Sequence, residues 1–152
     1  MDYLKRGEVK ISTEGYLREV LDDLPKEITG RVKIPSATHL FEVWSGGEQV
    51  FLDELHVRAF HHSIAKLFLI STRCSKDIQM AVELLKTQMK APTEDDWKKP
   101  RRLLQYMKCT MRLPMVLSAE NLNFIKGWVD ASYAAHGDMR GHTGVTMSLG
   151  RG

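Results

Sequence analysis

The residue with the clearest chemical potential is Asp130. It stands in Phe124-Ile125-Lys126-Gly127-Trp128-Val129-Asp130-Ala131-Ser132-Tyr133, whose aromatic and β-branched residues predict a strand, and a buried one. An ionised carboxylate among apolar and small neighbours is costly unless a cation or a donor compensates it. Two roles therefore compete for Asp130: ligand to a metal ion, or acceptor held within its own hairpin. Phosphoaspartyl chemistry is disfavoured, because it calls for a second aspartate two residues on and Ser132 stands there. Other pairings offer less. Asp22-Asp23 falls in the last turn of a predicted helix just before Pro25 and reads as a solvated helix end. His61-His62 are adjacent, so on a helix they point about 100° apart, whereas chelating histidines sit four apart on one face. Cys74 and Cys109 have no Cys or His at zinc-ligand spacing and read as reduced thiols.

A second candidate is electrostatic. Residues 97–119 hold Lys98, Lys99, Arg101, Arg102, Lys108 and Arg112 and no acid. Thr93 followed by Asp96 resembles a capping box with Asp in place of Glu, predicting a helix start. Beyond it, Trp97, Pro100, Leu104, Met107 and Met111 recur at helical spacing as a core-facing stripe. One residue on, Lys98, Arg101, Gln105, Lys108 and Arg112 form a second stripe. Such a face is either solvated or follows a phosphate backbone, in which case binding is salt-dependent. Lys98, Arg101, Arg102, Lys108 and Arg112 are the candidate nucleic-acid contacts. Pro100 is awkward, since an interior proline costs about 3 kcal/mol; either the helix starts later or this copy is a damaged one.

The elements that must position these residues follow from periodicity. Residues 8–12 alternate like a short strand, and residues 13–24 predict a helix with Tyr16, Leu17, Val20, Leu21 and Leu24 as its apolar face. A long irregular connection with an apolar segment at 40–44 comes next. Residues 51–72 and 75–89 predict two further helices, the second capped by Ser75. After Pro114 come a short strand at 115–118, a turn at 120–123, the Asp130 strand, a turn at 136–141 and a strand at 143–149. The expected class is α+β: about three central helices, then an antiparallel hairpin too small to be stable by itself. With 152 residues the chain has room for one ordinary core or two very small ones. No segment approaches membrane-spanning or signal-peptide length, so an intracellular location, cytoplasmic or nuclear, is expected, with no membrane partner.

In order and spacing, Ser75-Lys76-Asp77-Ile78, Ala91-Pro92-Thr93 with Trp97, the run 102–110, Trp128-Val129-Asp130-Ala131-Ser132-Tyr133, and His142-Thr143-Gly144 with Ser148-Leu149-Gly150 match one pattern. Together they resemble the junction between reverse transcriptase and ribonuclease H in copia-type retrotransposon Pol polyproteins. The resemblance implies that residues 1–113 correspond to the C-terminal part of a reverse-transcriptase-like domain, with its thumb or connection helices. Residues 114–152 correspond to the first strands of a truncated ribonuclease H-like fold. It further implies a parent chemistry in which two Mg2+ ions, clamped by several carboxylates, hydrolyse the RNA strand of an RNA/DNA hybrid. Asp130 would be one of those ligands. The polymerase Tyr-x-Asp-Asp motif and the remaining ribonuclease H acids have no counterpart in the chain, Cys109 replaces a glycine, and Val145 stands where glycine or serine is usual. The expectation is therefore a fragment of a longer polyprotein and a decaying copy, with Asp130 vestigial, no Mg2+ held by the chain alone and no catalytic activity without its missing domains. The alternative is a non-enzymatic nucleic-acid-binding or interaction protein derived from a retroelement.

Overall fold

The structure, a computed structural model, describes residues 2–22, 29–36, 48–119, 123–133 and 141–150. The expected turn residues 120–122 and 136–140 and the apolar segment 40–44 lie outside them. The chain is α+β, with four α-helices and two small antiparallel sheets among the described residues. It divides into two compact units, Thr13–Leu113 on one side and Met1–Ser12 with Pro114–Gly152 on the other.

The helical unit contains α1 (Glu14–Asp22), α2 (Glu54–Arg73), α3 (Gln79–Thr87) and α4 (Glu94–Thr110). Helix α2 starts where Asp53 accepts the His56 backbone N–H at 2.8 Å, an N-cap that also holds the Asp53 carboxyl below its usual pKa. The segment expected as one helix from Ser75 opens instead with a 3-10 turn, Lys76–Ile78, and Ser75 makes no side-chain capping bond. The turn seats Ile78 in the core. All the fully buried apolar side chains among the described residues belong to this unit. Leu17 and Val20 of α1, Phe60, Ile64, Leu67 and Ile70 of α2, Ala81, Val82 and Leu85 of α3, and Leu103, Leu104 and Met107 of α4 converge with Ile78. This convergence is what helical spacing of apolar residues produces when each stripe meets another.

The second unit is built from strands. β1 (Asp2–Lys5) and β2 (Glu8–Ile11) form a hairpin around the turn Arg6-Gly7, where Gly7 takes φ 83°. β2 then pairs antiparallel with β3 (Met115–Ser118), Val9 opposite Leu117 and Ile11 opposite Met115. A separate hairpin joins β4 (Lys126–Ser132) to β5 (His142–Ser148), with Trp128 opposite Thr146 and Asp130 opposite Gly144. None of the buried apolar side chains of the described residues lies in this unit.

Candidate nucleic-acid interface and the Asp130 strand

Helix α4 is fixed at its start by several independent contacts. Thr93 Oγ1 accepts the Asp96 backbone N–H at 3.3 Å, and the Asp96 carboxylate accepts the Thr93 N–H at 3.1 Å and its hydroxyl at 2.8 Å, completing the expected capping box. The Asp96 carboxylate also takes a 2.9 Å hydrogen bond from Lys99 Nζ, with both side chains only 9% exposed. Just upstream, Glu94 N donates to Val50 O and Leu52 N to Pro92 O, each at 3.0 Å, so two of the groups around the helix entry find partners outside the helix. Further along, Tyr106 donates its hydroxyl to Asp77 and Gln105 donates to the Thr29 carbonyl. Trp97 packs 5.7 Å from the His56 ring and 6.5 Å from Phe60, centroid to centroid.

The helix runs straight through Pro100, contrary to the expectation that it would start later. Pro100 has no N–H to give Asp96 O, but its ring is buried with Lys99 and Leu103, and packing on that side offsets part of the lost bond. The core-facing stripe is as read: Pro100, Leu104 and Met107 are buried, and Trp97 and Met111 partly so.

The flank about 100° round from that stripe presents the cations. Lys98, Arg101, Lys108 and Arg112 are exposed. Lys98, Arg101 and Lys108 lie on α4 and at about 100° per residue fall within an arc of about 80°, along about 15 Å of axis, while Arg112 stands in the turn just past the helix end. Lys98 lies 3.5 Å from Asp95 with 70% of its side chain exposed, and Arg112 lies 4.0 Å from Glu14 with 86% exposed. Neither contact is close enough or buried enough to remove the cation from solvent. Arg102 differs: it is half-buried, at the edge of the arc, with its Nε inside and without a hydrogen-bond partner among the described residues. Lys99, on the basic run but off the stripe, is the buried partner of Asp96, a role that its i,i+3 spacing from Asp96 signals.

Asp130 is placed otherwise than its sequence setting implied. Every residue of β4 is exposed, Trp128 at 56% and Val129 at 73%, so the strand is not a buried one. The physical reason is that among the described residues no second layer, sheet or helix, packs on either face of the two-stranded ribbon. Asp130 shares its face with Lys126, Trp128 and Ser132 of β4 and with Gly144, Thr146 and Ser148 of β5. Two hard divalent cations need several oxygen ligands converging at 2.0–2.1 Å or so. Among the described residues no three Asp, Glu, His or Cys side chains converge anywhere, and Asp130 is the single carboxylate on its hairpin face. The donor set of the described residues does not fit a two-Mg2+ centre.

The remaining candidates are structural in setting. His61 Nε2 lies 2.7 Å from Met89 O, and Cys74 Sγ lies 2.8 Å from Thr13 Oγ1. Asp22 ends α1 as expected, while Asp23 lies outside the described residues. No helix of the described residues is long and apolar enough to cross a membrane. Compared with known proteins, the chain matches no family model, no curated protein and no solved structure.

Proposed function

We propose that this chain is a retroelement-derived Pol fragment, without nuclease or polymerase activity of its own, that binds nucleic acid through backbone phosphates along the outer face of α4. The observation that carries the reading is the set of four exposed cations, Lys98, Arg101 and Lys108 on α4 and Arg112 just past its end, beside the core-facing stripe that fixes the helix. Phosphate contact needs charge held at fixed spacing, and α4 supplies it by burial, capping box and tertiary hydrogen bonds. The order of motifs from residue 75 to residue 150 supports the retroelement origin. An RNA/DNA hybrid is the natural ligand of that parent chemistry.

The test is fluorescence anisotropy with a labelled RNA/DNA hybrid across a salt series. Four phosphate contacts give a slope of log K against log salt of about −3.6, and replacing Arg101 and Lys108 together by alanine makes it shallower by about 2. Cys109 is exposed among the same cations, so bound hybrid slows its alkylation while Cys74 is unaffected. Absent or salt-independent binding refutes the interface. Mg2+-dependent cleavage of the hybrid, abolished in Asp130→Asn, refutes the lack of nuclease activity.

A further inference from the structure

Arg102 is the cation of the basic run that the fold leaves without an acceptor. Its Nε is closed to solvent and has no hydrogen-bond partner among the described residues, although the side chain as a whole is only half-buried. A guanidinium carries five N–H donors and no acceptor, and it does not give up its charge inside a protein. Buried donors without partners are rare and unfavourable. The pairings along this segment go to other groups: Lys99 holds Asp96 at 2.9 Å, Lys98 lies 3.5 Å from Asp95, Arg112 lies 4.0 Å from Glu14, and the Asp77 carboxylate takes the Tyr106 hydroxyl. At about 100° per residue, Arg102 stands one turn on from Lys98 and about 40° round α4, between the open cations and the buried Leu103.

We infer that Arg102 is a stowed phosphate contact: on binding it swings out from the flank of α4 and takes a phosphodiester of the strand in a two-pronged hydrogen bond. This role rests on the nucleic-acid reading of α4 and adds a conformational step to it. An anion is the partner that answers a charged and unsatisfied donor, and phosphate matches the planar fork of arginine better than it matches the single ammonium of lysine. Because Nε is closed to solvent, a strand laid along Lys98, Arg101, Lys108 and Arg112 does not reach it until the side chain turns about its own torsions. That turn ends the orphaning of the donor. The free state is therefore disfavoured relative to the bound one, and the difference is realised as affinity.

The experiment compares the full chain with Arg102→Met, which keeps much of the stem without its donors, and with Arg102→Lys, which keeps the charge without the fork. Binding of the labelled RNA/DNA hybrid is read by fluorescence anisotropy across a salt series. The full chain is expected to exceed the slope of four phosphate contacts by about 0.9, and Arg102→Met to return to it with affinity about 10-fold weaker. Arg102→Lys keeps the steeper slope at reduced affinity. Without nucleic acid, Arg102→Met raises the urea midpoint by about 0.5 M, because the unsatisfied donor is gone. In proton–nitrogen correlation spectra of the full chain, the arginine Nε–H signal that is missing from Arg102→Met shifts when unlabelled hybrid is added and stays in place with inorganic phosphate alone. Equal slopes in the full chain and Arg102→Met, with that signal unmoved, overturn the role of Arg102 and leave the α4 interface standing, whereas no hybrid binding by the full chain overturns both. A lower urea midpoint in Arg102→Met marks the guanidinium as a structural group and overturns the role. A signal that moves equally with inorganic phosphate marks a free-anion site and overturns it as well.

Discussion

Replacing Asp96 by alanine tests how α4 is held. The substitution removes the acceptor for Thr93 N–H and Thr93 Oγ1, which costs about 1 kcal/mol as a lost cap. It also strands Lys99, 8% exposed, whose ammonium lies 2.9 Å from the carboxylate. Removing one partner of a buried pair costs about 3–5 kcal/mol when the remaining charge stays put. A lysine stem can swing its head toward water and recover part of that, so the expected loss is about 3 kcal/mol. Lys99→Met keeps the stem and leaves Asp96 bonded to Thr93 at the favourable end of the helix dipole, costing about 1 kcal/mol. The double variant removes the stranded ammonium and is more stable than Asp96→Ala alone by about 2 kcal/mol. Urea unfolding followed by far-ultraviolet circular dichroism reads all three. A double variant no more stable than Asp96→Ala refutes the reasoning, because the cost then lies in the cap and not in the buried charge.

Three further outcomes follow from single groups. The hydrogen bond from Tyr106 to Asp77 raises the phenol pKa from 10.0 to about 12. Its protonated form is favoured in the folded chain, so this stability is fully present below pH 10 and is lost as pH rises toward 12. The group is only partly buried, so the loss is about 1 kcal/mol, and Tyr106→Phe abolishes that alkaline step in urea unfolding. Gly7→Ala places a Cβ 3.0 Å from Ala119 O at a φ of 83°. It costs about 1–2 kcal/mol locally and speeds hydrogen exchange of the Ala119 amide, which donates to Gly7 O at 2.7 Å. Asp130→Asn, on an exposed strand, changes stability by no more than about 0.5 kcal/mol in urea; a loss above about 1.5 kcal/mol identifies Asp130 as a structural acceptor instead.

What was legible in the sequence was local. The capping box, the core-facing stripe of α4 and the buried Leu17 and Val20 of α1 follow from spacings of three and four, and the structure has them; in α2 the spacing marks Phe60, Ile64 and Leu67 correctly, whereas Leu55, Ala59 and Phe68 at the same spacing are exposed. The residues that read as a buried strand, Ile125, Trp128 and Val129, have the composition of a strand interior, but composition cannot count how many strands pair beside them. With no layer packed on the ribbon among the described residues, all three are exposed. Partner choice was equally hidden: β2 pairs with β3 across roughly a hundred residues, and alternation marks a strand without naming its neighbour. The Tyr106–Asp77 bond joins positions 29 apart, a separation that no periodicity encodes.

These differences bear on where chemistry is possible. A carboxylate site works when neighbouring groups fix the acid and exclude water, so that its ligands need no rearrangement to bind. Asp130 stands on a ribbon that, among the described residues, has no buried side chain and no second acid on its face. Its residue type is suited to catalysis while its support is not. The α4 cations invert that relation: lysine and arginine on a solvated face are unremarkable as types, but here the backbone carrying them is anchored by Leu103, Leu104 and Met107 and by contacts from Thr93, Asp77 and Thr29. Recognition of a phosphate backbone asks for fixed spacing and open charge rather than a dry pocket. The element best able to meet its own chemical requirement is therefore α4, and loss of hybrid binding in Arg101→Ala/Lys108→Ala, with unfolding unchanged, is the outcome that separates recognition from mere solvation of the helix.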